Sequence, residues 1–126
     1  MQLSVTADLS CPPHRLFEEV DDLGDYPRWM GLVHNAQSQS DGSWIVELRA
    51  RVGPFARSKR LRMTRTMLEP DSRVRFERSE TDGRPHGEWV LDVTVSPNAD
   101  GSRLVMNLRY SGRLWSSVVE RVLHEE

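Results

Sequence analysis

Residues 60–77 read RLRMTRTMLEPDSRVRFE, two alternating runs on either side of a turn. In the first, Arg60, Arg62 and Thr64 alternate with Leu61, Met63 and Arg65. In the second, Arg73, Arg75 and Glu77 alternate with Val74 and Phe76. A period of two sends successive side chains to opposite faces, so each run reads as a strand with one apolar and one charged face. Between them, Pro70 presets its own φ, and Asp71 and Ser72 can bond back to their own backbone. Strands joined by so short a connection pair antiparallel. The stretch therefore predicts a hairpin with a buried apolar face and a solvated arginine face.

The same grammar runs outward from it. Asp-Gly pairs at SDGS (40–43), TDGR (81–84) and ADGS (99–102) tolerate the positive φ of tight hairpin turns, and VGPFA (52–56) is a looser turn. Between the turns lie VHNAQSQ (33–39), WIVELRARV (44–52), KRLRMTRTML (59–68), RVRFERSET (73–81), HGEWVLDVTVS (86–96) and RLVMNLRYSG (103–112), a meander of strands. Parity assigns the inward face to Val46, Leu48, Ala50, Leu61, Met63, Val74, Phe76, Trp89, Leu91, Val93, Leu104, Met106 and Leu108. It leaves Arg49, Arg51, Arg60, Arg62 and Arg75 on the convex face, as a solvated ladder with Glu47 and Glu77 as partners.

Upstream, QLSVTADL (2–9) alternates as another half-buried strand. Ser10 is placed to cap a following helix, and Pro12 and Pro13 suit its first turn. Leu16, Phe17 and Val20 make its apolar stripe. Gly24 is read as its end, and Pro27 as the start of a second short helix with Tyr26, Trp29 and Met30 on its apolar side. Downstream, LWSSVVERVLHEE (114–126) carries Leu114, Trp115, Val118, Val119, Val122 and Leu123 at helical spacing. Glu125 and Glu126 oppose the helix dipole and no cap follows, which leaves open whether this helix continues beyond Glu126. The expectation is one α+β domain over residues 1–126. It is a seven-stranded antiparallel sheet curled around the C-terminal helix, with two short helices between its first and second strands. The first strand pairs at an edge or with the last.

A chain of 126 residues can bury a core and one modest cavity. It has no apolar run of about 18 residues, so no stable membrane insertion is expected, and no signal peptide is visible. Cys11 stands alone, which rules out an internal disulfide and fits a reducing cytoplasm. The net charge of −2 is uneven: −6 over residues 1–48, +7 over 49–78 and −3 over 79–126. The central bases alternate with apolar residues as a strand face does, so no nucleic acid is expected as partner. Lys59 is the only lysine. His14, His34, His86 and His124 lack metal-ligand spacing and read as surface or loop residues. There is no nucleophile elbow and no phosphate loop. No metal, no cofactor and no confident catalytic residue is expected, and monomer and homodimer stay equally open.

Parity also sends some polar residues inward. If Leu61, Met63 and Met67 face the core, so does Arg65. Arg78 follows Val74 and Phe76, and Tyr110 follows Leu104, Met106 and Leu108. Such groups on an apolar face need partners: Glu80, Glu88 or an oxygen-rich or anionic ligand. The alternative is that twist or bulging carries both arginines out to solvent.

Asp22, Leu23, Tyr26, Pro27 and Trp29 form a DL-x-x-YP-x-W pattern after a strand and a Pro-started helix, and RVRFE follows a Glu-Pro turn. On these residues the chain resembles the START-like (SRPBCC) superfamily, the helix-grip fold of polyketide cyclases, lipid-transfer domains and coenzyme Q-binding proteins. The final helix is shorter than the superfamily's usual one, which bears on how a cavity would close. The resemblance implies a small hydrophobic ligand (lipid, quinone or polyketide-like) held between sheet and C-terminal helix. Its expected contacts are Trp29, Leu48, Met63, Arg65, Phe76, Arg78, Trp89, Leu91, Met106, Tyr110, Trp115 and Val119. Tyr26 and Trp29 either frame the mouth of that cleft or plug the helix–sheet joint. The alternative function is a polyketide cyclase or aromatase in which Arg65, with Tyr110 or Tyr26, orients a polyketone. A third is a groove that docks another chain's helix.

Overall fold

A computed structural model describes residues 2–52 and 54–111. The chain runs β1 (Gln2–Leu9), α1 (Pro13–Val20), a 3-10 helix (Leu23–Arg28), β2 (Val33–Ser38), β3 (Trp44–Val52), β4 (Phe55–Glu69), β5 (Arg73–Arg78), β6 (Trp89–Asn98) and β7 (Gly101–Tyr110). The sheet order is β1-β7-β6-β5-β4-β3-β2, antiparallel throughout. β2 to β7 form the expected meander. β1 closes the other edge by pairing with β7, from Gln2 opposite Arg109 to Leu9 opposite Ser102. The two short helices thus carry the chain from one edge strand to the other.

All thirteen residues assigned inward by parity are less than a tenth exposed, and Val74, Phe76 and Val93 are fully buried. α1 adds Leu16, Phe17 and Val20, and the 3-10 helix adds Leu23 and Tyr26. This is the α+β helix-grip arrangement, with one sheet face covered by helices. The segment from Leu114 to Glu126, expected to be the gripping helix, lies outside the described residues, and Trp115 and Val119 lie there with it.

The turn chemistry sits where the sequence places it. Gly42 (φ 87°), Gly83 (φ 74°) and Asp71 (φ 64°) occupy the left-handed region in three of the connections. Four local expectations are corrected. Ser10 does not cap α1; its N-cap is Pro12, with no side-chain cap. Gly24 does not end α1, which stops at Val20; Gly24 lies inside the 3-10 helix, and its N–H donates to the N-cap Asp22 carboxylate at 2.8 Å. That helix therefore starts before Pro27, not at it. β5 and β6 are also shorter than their alternation suggests, ending at Arg78 and starting at Trp89, because residues 79–88 form a polar loop instead of a tight hairpin.

A β-bulge between Arg65 and Met67 breaks the parity of β4. Before it, Arg65 lies opposite Phe76; after it, Met67 lies opposite Arg75 and Leu68 opposite Val74. Directly opposed residues share a face, so the extra residue turns Met67 to the convex side and Leu68 to the concave side. On the convex face Arg49 pairs with Glu47 at 2.9 Å, and Arg60 is exposed. Arg75 pairs with Asp92, at 2.7 Å, and not with Glu77; Arg73 shares that carboxylate. Arg62 is drawn in, bonding Asp41 at 2.9 Å and the Ser79 hydroxyl at 3.0 Å. The Arg51 side chain lies outside what is described.

Candidate functional site: a concave face and the end of its first helix

The last carbonyls of an α-helix have no partner within the helix. No glycine cap relieves α1. Three side chains from elsewhere do so instead. The Trp29 indole Nε1 donates to the Glu19 carbonyl at 3.1 Å, the Tyr26 hydroxyl to Val20 at 2.9 Å, and Arg65 Nη1 to Asp21 at 2.8 Å. The chain turns back at 21–30 so that Tyr26 and Trp29 can reach the helix it has just left, and Arg65 reaches across from β4. Tyr26 is fully buried, tilted on Trp29 with centroids 4.6 Å apart and edge-on to Phe76 at 6.0 Å. Burial, and then the Asp21 charge, push its phenol well above the ordinary value. It is a neutral donor already in use.

This corrects the cyclase-like arrangement. Arg65 does not sit unpaired in an apolar cavity; it is exposed and bonded to backbone. The bulge lies next to it, at the rim where β4 meets the end of α1. Arg78 does lie inward, a tenth exposed, and bonds Glu80 at 2.8 Å, the Gly87 carbonyl at 3.2 Å and His86 Nδ1 at 3.2 Å. Glu80 is thus its carboxylate partner, while Glu88 pairs with Arg109. Burial opposes ionisation of Glu80, but the Arg62 N–H and the Arg78 guanidinium outweigh it, and its pKa lies below the ordinary value. Tyr110 is buried and stacked on Trp89, with centroids 5.3 Å apart and planes at 28°.

The apolar space lies on the concave side. One cavity of about 250 Å³ is walled by Leu3, Val5, Ala7 and Leu9 of β1, by Leu104, Met106 and Leu108 of β7, and by Leu91, Trp29 and Met30. A second, of about 260 Å³, lies against α1 between Leu16, Glu19, Val20 and Trp29, and shares Leu9 and Leu104 with the first. Trp29, half-buried, stands between them with its ring pinned through Glu19. A third space of only about 40 Å³ runs under the 3-10 helix past Leu48, Leu61, Met63, Trp89 and Leu91. A polar hollow of about 340 Å³ opens beside the 79–88 loop, lined by Arg78, Glu80, Arg84, His86 and Trp89 among others.

Of the expected contacts, Trp29, Leu91 and Met106 wall the apolar cavity of about 250 Å³, and Leu48, Met63 and Trp89 wall the narrow one. Phe76 is fully buried beneath them. The contribution of β1 was missed. Its alternation Leu3, Val5, Ala7, Leu9 was legible, but only pairing with β7 brings that face to the cavity. Among the described residues no group of three or more His, Cys, Asp or Glu could hold a metal ion. Nor is any described helix long and apolar enough to cross a membrane.

Comparison with known proteins agrees with this architecture. The family model described as polyketide cyclase / dehydrase and lipid transport matches residues 1–126. A Deinococcus radiodurans protein of known structure superposes with a TM-score of 0.70 at 17% identity, over 98% of each chain. A START superfamily protein from Mycobacterium smegmatis does so with 0.69 at 12% identity, covering 98% of this chain and 87% of that one. XoxI from Bacillus cereus gives 0.68 at 7% identity, covering 98% and 90%. At these identities the likeness is one of fold. No curated protein matches the sequence.

Proposed function

The chain belongs to the polyketide cyclase/dehydrase and lipid transport family, and from that premise we propose that it binds and carries a small hydrophobic ligand on the concave face of its sheet. The observation that supports this most directly is the pair of adjoining apolar cavities, about 250 and 260 Å³, which share Leu9, Trp29 and Leu104. Burying about 200 Å² of apolar ligand surface contributes about 5 kcal/mol at about 25 cal/mol per Å², before ordering costs. That is enough for a carrier that must also release. Binding is favoured over catalysis by the engagement of Arg65 and Tyr26 with the end of α1. The lone, half-buried Cys11 agrees with a cytoplasmic setting.

Native mass spectrometry of the freshly purified chain, followed by denaturing extraction, tests the reading. A co-purified apolar molecule, or saturable one-to-one binding of Nile red to the emptied protein, is the expected result. Absence of both overturns it.

A further inference from the structure

One end of the concave face is not apolar. Lys59 lies opposite Leu48, a core residue 4% exposed, and Arg57 lies opposite Ala50, 6% exposed. Opposed residues share a face, so both cations stand on the concave side, on the strand that also carries Leu61 and Met63. Arg78, opposite Met63, stands on the same face one strand over. Against these three cations stands Glu80, already bonded to Arg78. Among the described residues neither Lys59 nor Arg57 has a hydrogen bond or ion pair from its side chain, whereas Arg62, Arg73, Arg75 and Arg78 are all paired. Lys59 is half-buried, and burial, with the Arg78 charge second, lowers its pKa from the ordinary value. A second polar group on the concave face, two strands away on β6, also lacks a partner among the described residues. Trp89 is 3% exposed, and its indole Nε1 is buried without an acceptor among the described residues. A buried donor left unmade costs free energy, so such atoms are few in folded proteins. Trp89 shares the narrow apolar space with Leu48 and Leu61, the neighbours of Lys59 on the concave face.

We propose that this end of the face is a head-group site, in which Lys59 pairs with the carboxylate of an otherwise apolar ligand. The inference rests on the ligand-binding reading above and specifies the ligand as an amphipathic monoacid. The narrow space along Leu48, Leu61 and Met63 shares Met30, Leu91 and Leu108 with the cavity of about 250 Å³, so the apolar body runs past it into that cavity, and the carboxylate supplies the acceptor missing at Lys59. A single charge fits better than a phosphate. A phosphate monoester carries nearly two charges at neutral pH and favours the planar arginine fork. The Arg78 fork is already occupied by Glu80, Gly87 and His86. Arg57, unpaired too, is exposed farther along β4, so the cation set against the apolar face is the half-buried Lys59 ammonium, a compact point charge suited to a monoanion.

Displacement of Nile red from the full chain by decanoate, decyl phosphate and decanol tests the site. Decanoate should displace the dye at about tenfold lower concentration than decanol, the factor expected from one charge-assisted contact. Lys59→Met should abolish that advantage and leave decanol unchanged. Lys59→Gln, which keeps polarity without charge, should do the same. Arg60→Met, altered on the opposite face, should retain the advantage. Equal displacement by decanoate and decanol, or an advantage that survives in both Lys59 variants, overturns the head-group site while leaving the apolar cavity reading intact. A preference for decyl phosphate overturns the assignment to a carboxylate. Displacement by none of the three overturns both.

Discussion

Tyr26→Phe separates a structural tyrosine from a functional one. The change removes one oxygen from a fully buried ring and leaves the contacts with Trp29 and Phe76 in place. It also strips the Val20 carbonyl, at the end of α1, of the donor that now lies 2.9 Å away. A buried acceptor left unpaired costs about 1–3 kcal/mol. Because the net worth of a typical neutral hydrogen bond is nearer about 1 kcal/mol, the lower half of that range applies, about 1–2 kcal/mol. A domain of 126 residues unfolds with an entropy of about 2.1 cal/mol/K per residue, so Tm should fall by about 4–8 °C. Thermal melts followed by circular dichroism measure the shift, and Nile red titration measures binding. The expected outcome is a lower Tm with unchanged dye affinity below the melt. An unchanged Tm together with lost binding would refute the reasoning, since the hydroxyl would then be serving a ligand and not the helix.

Further outcomes follow from other parts of the molecule. Ala7→Trp, at an exposed position on the wall of the β1–β7 apolar cavity, should weaken dye binding about tenfold or more while Tm changes by less than about 2 °C, because the new ring fills space instead of displacing core. Gly101→Ala should lower Tm, since a Cβ there would meet the Leu9 carbonyl oxygen at 2.3 Å and must push β1 from β7; differential scanning calorimetry should register a loss of about 1–3 kcal/mol. The Arg73 guanidinium, against the opposing effect of burial and with Arg75 adding to it, holds the Asp92 carboxyl below its ordinary pKa. A depressed folded-state pKa adds stability above the unfolded value near pH 4 and loses it as pH falls through the folded value. Asp92→Asn should therefore lower Tm at pH 7 and flatten the decline of Tm between about pH 4 and pH 2. A mutant whose acid profile parallels the wild type would contradict that role.

What each stretch of sequence made legible depended on how local its physics is. Alternation in RLRMTRTML and RVRFE identified the buried face of β4 and β5, because pleating is a property of consecutive residues. Asp-Gly pairs and Pro70-Asp71 located the turns, because their φ preferences belong to single residues. The antiparallel meander and its thirteen inward side chains followed from those two facts together. The candidate site was less legible. Trp29, Leu91 and Met106 could be expected at a cavity wall from alternation together with the family resemblance, and Arg78 could be matched with Glu80, but β1's share of the wall could not.

Tertiary structure alone decided the rest. One extra residue near Thr66 reversed the faces of Met67 and Leu68, and nothing in their alternation marks it. Arg65, Tyr26 and Trp29 looked like cavity chemistry because each is a donor beside an apolar run. Their acceptors proved to be the carbonyls of Asp21, Val20 and Glu19. An unsatisfied helix end is visible in a sequence only as a missing cap; which distant donor relieves it depends on where the sheet brings β4 and the returning chain. Periodicity is written residue by residue, whereas the pairing of buried polar groups is settled only when the whole chain has folded.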